Sequence, residues 1–86
     1  MNIFISNIAF GLEEKDLQTL FSDFGKVVSV KLVTDKRSGK PKGYGFVEMP
    51  EDEEAQKAIA LLDGREIFGR TLRVAPAKSS VAGEEG

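Results

Sequence analysis

The sequence predicts an α+β fold, a four-stranded antiparallel sheet with two helices on one of its faces. Three observations carry that prediction. Four short segments rich in β-branched and aromatic residues alternate with two segments of helical period, in the order β-α-β-β-α-β. Each strand-like segment sets its aliphatic residues on one side only, so the sheet should have one buried face. The chain has 86 residues, 41% hydrophobic and 30% charged, which suits one small globular domain and not a disordered chain.

The elements follow in order. In residues 2–6, Asn-Ile-Phe-Ile-Ser, alternation puts Ile3 and Ile5 on one face and Asn2, Phe4 and Ser6 on the other. Two aliphatics outvote one ring, so the isoleucine face should meet the core. Leu17, Leu20, Phe21 and Phe24 recur with the period of an amphipathic helix. Glu13, Glu14 and Asp16 open that helix, where acids suit its dipole, and Gly25 is expected to end it. Residues 27–34 read as a strand with Val30 and Leu32 inward and Lys31 and Val33 outward. Asp35 to Pro41 is a polar loop. Residues 42–49, Lys-Gly-Tyr-Gly-Phe-Val-Glu-Met, form the next strand.

Pro50 is expected in the first turn of a second helix, followed by acids, with Ala55, Ala58, Ile59 and Leu62 as its apolar stripe and Asp63-Gly64 as its closing turn. Thr71 to Ala75 should be the last strand, Leu72 and Val74 inward and Arg73 outward. Residues 1–78 then make one domain, and 79–86, without apolar periodicity, a flexible tail. Two β-α-β halves sharing one sheet is the ferredoxin-like arrangement.

That arrangement leaves one face of the sheet uncovered, and the sequence assigns it Phe4, Lys31, Tyr44, Phe46, Glu48 and Arg73. Tyr44 and Phe46 stand at i and i+2, so both rings project from one side while Gly45, Val47 and Met49 point to the other. A soluble protein normally hides such a pair. Burial of all three rings is the ordinary reading of strand aromatics, but here the inward slots are taken by Ile3, Ile5, Val30, Leu32, Val47, Leu72 and Val74. Exposed rings side by side make a stacking platform for nucleic-acid bases.

Charge fits this reading by position and not by sum. The net charge is −2. Between Lys26 and Lys42 the chain carries Lys26, Lys31, Lys36, Arg37, Lys40 and Lys42 against the single acid Asp35. The acids gather instead at the helix starts. Basic loop residues taken singly serve solubility, whereas four of them leading into an aromatic strand favour phosphate contact.

Other chemistries find little support. There is no cysteine and no histidine, which removes thiolate nucleophiles, zinc knuckles and the commonest acid–base group at neutral pH. Glu48 is the one acid expected on the open face, with no second carboxylate placed to pair with it, so catalysis is not expected. Gly43-x-Gly45 lies inside a strand and has Glu48 where a nucleotide-binding loop needs its third glycine. No segment has the length of a membrane span and the first residues lack the layout of a signal peptide, so an intracellular protein is expected.

Two segments together resemble one family. Residues 42–49 match the RNP1 octamer of the RNA recognition motif, K/R-G-F/Y-G/A-F-V-x-F/Y, at seven of eight positions. Ile3-Phe-Ile-Ser-Asn-Ile8 is similar to its RNP2 hexamer. Leu20-Phe21…Phe24-Gly25, Asp35…Gly39…Gly43 and Gly69-Arg70…Leu72…Val74 are also family-like, so the resemblance spans residues 2–78.

The resemblance implies single-stranded RNA binding, with two of Phe4, Tyr44 and Phe46 stacking on successive bases and the third packing on the sugars between them. It implies that Lys42 meets a phosphate. Lys31 and Arg73, outward by parity, join it, with Arg37 from the loop and the stretch from Ala75 to Lys78 adding contacts. The expected role is post-transcriptional regulation or chaperoning of RNA, by a monomer that needs no cofactor, metal or membrane. The compartment would be the cytoplasm in a bacterium, or the nucleus or an organelle in a eukaryote. The near-immediate first strand resembles small single-domain RNA-binding proteins of bacteria and organelles, and equally an excised domain.

Three residues depart from the family pattern. Met49 replaces the last RNP1 aromatic, on the inward side. Glu13 stands where a Thr or Ser usually caps the first helix, and Asn2 where many relatives are basic. Two other ligands share the same surface logic: a protein or peptide on this fold, and single-stranded DNA.

Overall fold

The computed structural model describes residues 1–77. Its elements are β1 (Asn2–Ser6), α1 (Glu14–Ser22), β2 (Ser29–Thr34), β3 (Pro41–Glu48), α2 (Asp52–Leu62), β4 (Glu66–Ile67), β5 (Arg70–Thr71) and β6 (Arg73–Pro76). The main sheet runs β2-β3-β1-β6, antiparallel throughout, and β4 and β5 form a separate small hairpin. The ferredoxin-like order expected from the sequence is present, with the hairpin inserted before the last strand.

The core lies between sheet and helices. Ile3, Ile5, Val47, Met49, Leu72 and Val74 meet Leu17, Phe21, Ala55, Ala58 and Leu62, all buried, with Val30, Leu32, Leu20, Phe24 and Ile59 packed at the margin. Of the inward set read from alternation, Ile3, Ile5, Val47, Leu72 and Val74 are buried, whereas Val30 and Leu32, on the edge strand β2, are only partly covered. Met49 is fully enclosed, filling an inward slot with an unbranched, adaptable side chain.

Four local details differ from the sequence reading. First, α1 starts on Glu13 as its N-cap, and the weak capping residue is compensated by Asp16, whose carboxylate accepts from the Glu13 N–H at 2.9 Å. The helix ends at Ser22 with Asp23 as C-cap. Gly25 is not the terminator. Its bare Cα makes room for the Glu54 side chain, whose carboxylate accepts from the Lys26 N–H at 3.2 Å.

Second, Pro50 lies just outside α2, because Glu51, in an extended conformation, is the N-cap and Asp52 begins the helix. The acids do fill the first turn. Third, β2 begins at Ser29 and not at residue 27, with a register irregularity between Leu32 and Thr34. The Leu32 N–H donates to the Glu14 carboxylate at 3.0 Å, so a helix side chain satisfies a backbone group of this edge strand.

Fourth, Thr71 belongs to β5 and pairs with Glu66, so the last strand of the main sheet starts at Arg73. The two-residue turn between β4 and β5 is Phe68-Gly69, both at positive φ (53° and 83°), the geometry of a tight hairpin turn. Phenylalanine is an uncommon residue for that conformation, and strands of two residues show no alternation to read.

Candidate nucleic-acid interface

β1 and β3 are central neighbours in the sheet, and their register sets Phe4 opposite Phe46. Lys31 on β2 is opposite Phe46 on its other side, and Ala75 on β6 is opposite Phe4. One cross-strand row therefore reads Lys31, Phe46, Phe4, Ala75, with Tyr44 on the diagonal. The Phe4 ring centroid is 5.4 Å from that of Phe46 and 6.0 Å from that of Tyr44, with planes tilted by 56° and 44°. These are attractive aromatic geometries. The rings shield one another and are half-buried as a result, not fully open as isolated rings would be.

The faces of the rings border two shallow hollows. One, of about 450 Å³, lies at the Tyr44 end and includes Phe4, Ser6 and Lys42 in its lining. The other, of about 340 Å³, lies at the Phe46 end beside Lys31, Asn2 and Glu48. Glu48 is the acid that alternation placed on this face, and it sits at the end away from the basic loop.

That loop is a tight connection closed by Asp35. The Asp35 N–H donates to the Lys40 carbonyl, its own carbonyl accepts from the Gly39 N–H, both at 2.7 Å, and its carboxylate accepts from the Arg37 N–H at 2.7 Å. The one acid of the basic stretch is thereby turned onto the backbone, while Lys36, Arg37, Lys40 and Lys42 are exposed. Gly43, at φ 93°, takes a conformation glycine adopts freely, and its carbonyl accepts from the Ile8 N–H at 2.9 Å. This bond continues the contact between β3 and the chain leaving β1.

Of the basic residues singled out from the sequence, Lys31 and Lys42 flank the rings and Arg37 stands at the loop. Arg73 differs. Its Nε is 3.3 Å from the Asp63 carboxylate, which also accepts from the Val74 N–H at 3.0 Å. Arg73 is thus engaged at the end of α2, although two-thirds of its side chain is exposed. Lys78 lies outside the described residues. The sequence reading passed over Asn7, Phe10 and Arg70, which join the Tyr44-end hollow. Asn7 and Arg70 lacked any alternation signal, and Phe10 stands in a loop where parity says nothing.

The sequence profile of the RNA recognition motif matches residues 3–73. The chain belongs to the RNA recognition motif family. Relatives agree with this. The human cleavage stimulation factor subunit 2 tau variant is 46% identical over 84 residues, covering 98% of this chain and 14% of the relative. The chain thus spans about a seventh of that protein's length. Among solved structures, that of the RNA-binding protein PG1 superposes with a TM-score of 0.89 at 38% identity, covering 92% of this chain and 95% of the other. The RNA recognition motif of Rna15 with bound RNA (GU) superposes with a TM-score of 0.82 at 26% identity, covering 92% and 84%. In this RNA recognition motif, as in the octamer pattern, the two outward RNP1 aromatics and the RNP2 aromatic share the face that no helix covers.

Proposed function

We infer that this domain binds single-stranded RNA across the uncovered face of its sheet. The observation that carries the reading is the cluster of Phe4, Tyr44 and Phe46, with the Phe46 and Tyr44 rings 5.4 and 6.0 Å from that of Phe4, on the face opposite a complete apolar core. A small domain whose core is already filled has no packing need for three further aromatics, and their faces suit bases that have lost their own stacking partners. Family membership and the RNA held by the Rna15 domain support the same ligand.

In this reading two rings stack on successive bases and the third lies against the sugars. Each base–aromatic stack is worth about 1–3 kcal/mol. Lys42 and Lys31 meet phosphates on either side of the rings, and Arg37 approaches from the loop. Arg73 can contribute only through the part of its guanidinium not held by Asp63. The binding unit is residues 1–78, its role is regulation or chaperoning of RNA after transcription, and it acts by binding and not by catalysis. Among the described residues no three His, Cys, Asp or Glu side chains converge as metal ligands would. No helix there is long and apolar enough to cross a membrane.

Titration with a single-stranded RNA, followed by amide resonances, tests the reading. Shifts should concentrate on β1, β3 and the adjoining part of β2, and an oligomer of deoxyribose should bind more weakly where the 2′-hydroxyl is contacted. Strand resonances that ignore RNA but move with an apolar or acidic peptide would instead make the sheet a protein-binding surface.

A further inference from the structure

We propose that Glu48 and Asn2 read the Watson–Crick edge of a guanine at the Phe46 end of the sheet, giving the platform a preference for guanosine at that place. The proposal rests on the RNA-binding reading above and adds to it the identity of one base. Stacking on rings accepts any base, so a choice among bases must come from polar groups beside them.

A polar row lies one step along the strands from the row of rings. Glu48 is opposite Asn2 on β1 and Ser29 on β2, as Phe46 is opposite Phe4 and Lys31. Glu48 follows Phe46 by two residues, so it projects from the same uncovered face, roughly 6–7 Å further along β3. Glu48, Asn2, Ser29 and Lys31 line one hollow of about 340 Å³ with Phe46. The main chain fixes the row: the Glu48 carbonyl accepts from the Val28 N–H and the Asn2 carbonyl from the Ala77 N–H, both at 2.8 Å.

The Glu48 side chain is exposed and unengaged. Glu14, Asp16, Asp35, Glu54 and Asp63 each accept from a backbone N–H through their carboxylates. Among the described residues, the Glu48 carboxylate accepts no such bond and has no cation within ion-pair distance. A free carboxylate on this face repels phosphates and weakens RNA binding unless a base supplies it with donors. An ionised carboxylate only accepts, through two oxygens. Guanine presents two adjacent donors, N1–H and the N2 amino group, which match those oxygens. Adenine and cytosine set one amino group beside a ring nitrogen that accepts, and uracil flanks its one N–H with two carbonyls. Each of those three bases turns an acceptor toward the carboxylate, which repels it. The Asn2 amide then donates to guanine O6. A basic residue at position 2, directly opposite Glu48, would pair with the carboxylate and occupy it, whereas the neutral Asn2 leaves it open.

The test measures the affinity of fluorescently labelled RNA heptamers UUUGUUU, UUUAUUU, UUUCUUU and UUUUUUU, and of UUUIUUU with inosine at the centre. Each is titrated against the wild-type chain, Glu48→Gln, Asn2→Ala and Tyr44→Ala, with thermal unfolding of every variant. The wild type should favour guanosine over the other three bases about tenfold. Inosine keeps N1–H and O6 but lacks the amino group, and should lose about threefold against guanosine with the protein unaltered. Glu48→Gln should erase the guanosine preference at an unchanged unfolding midpoint, because the side chain is exposed and the replacement has its shape. Asn2→Ala should reduce the preference about threefold. Equal binding of all four heptamers by the wild type, or a guanosine preference retained by Glu48→Gln, would overturn the proposal. With Tyr44→Ala still impaired, the platform would stand without it. Inosine binding as well as guanosine would overturn the paired contact to Glu48, and an Asn2→Ala protein with its preference intact would overturn the contact to O6. Failure of every heptamer to bind the wild type would remove the RNA-binding reading and the proposal together.

Discussion

Replacing Gly45 by alanine drives a methyl group into the backbone of the neighbouring strand. Gly45 is buried in β3, opposite Ile5 on β1 and Leu32 on β2. A Cβ built there collides with the Lys31 carbonyl oxygen and lies 3.2 Å from the Leu32 Cα and 3.3 Å from the Lys31 carbonyl carbon. All three obstacles are backbone, which cannot swing aside as a side-chain tip can. The only relief is for β2 to move off β3, next to the irregularity already present between Leu32 and Thr34. Overpacking of this kind costs about 1–3 kcal/mol. For a domain of this size each kcal/mol lowers the unfolding midpoint by about 4–8 °C, so a fall of roughly 8–16 °C marks the middle of the range. Gly11→Ala is the informative control. The methyl group there lies 3.6 Å from the Phe68 ring, an ordinary van der Waals contact. Thermal unfolding followed by circular dichroism should therefore leave Gly11→Ala near wild type and place Gly45→Ala well below both. A Gly45→Ala protein melting with the wild type would refute the close approach of the two strands.

Other consequences are simpler to state. Ile5→Ala removes a fully buried side chain from the centre of the core and should cost about 2–5 kcal/mol in chemical denaturation. Asp63→Ala loses the acceptor of the Val74 N–H and the partner of Arg73 at once, and should cost about 1 kcal/mol, most of it the backbone bond, since the ion pair is largely exposed. With Lys31, Arg37 and Lys42 on phosphates, the logarithm of RNA affinity should fall with the logarithm of salt at a slope near −2, and Lys42→Gln should make that slope shallower by about 0.7.

Much of this architecture is legible in the sequence because alternation is a local rule. Ile3, Ile5, Val47 and Val74 are buried, and Phe4, Tyr44 and Phe46 share the opposite face, as their parity alone requires. The features that were not legible depend on contacts distant in sequence. Glu54 reaching Gly25, Glu14 reaching Leu32 and Asp63 reaching Arg73 each replace a local expectation with a tertiary one. The β4–β5 hairpin is too short to show a period, and its Phe68-Gly69 turn lacks the usual Asn or Asp. Asn7 and Arg70 are 63 residues apart and meet only because that hairpin folds back on the end of β1. The ring platform could thus be read from the chain, whereas the cleft beside it could not.

Tyr44→Ala tests the central claim most directly when RNA affinity and thermal unfolding are measured on the same protein. Tyr44 packs on Phe4 from the uncovered side of the sheet and contributes nothing to the enclosed core. Affinity for single-stranded RNA should fall by about 5- to 150-fold, the equivalent of one lost base stack of about 1–3 kcal/mol, while the unfolding midpoint stays within a few degrees of wild type. A collapse of the unfolding midpoint, or RNA affinity unchanged in a fully folded variant, would contradict the account.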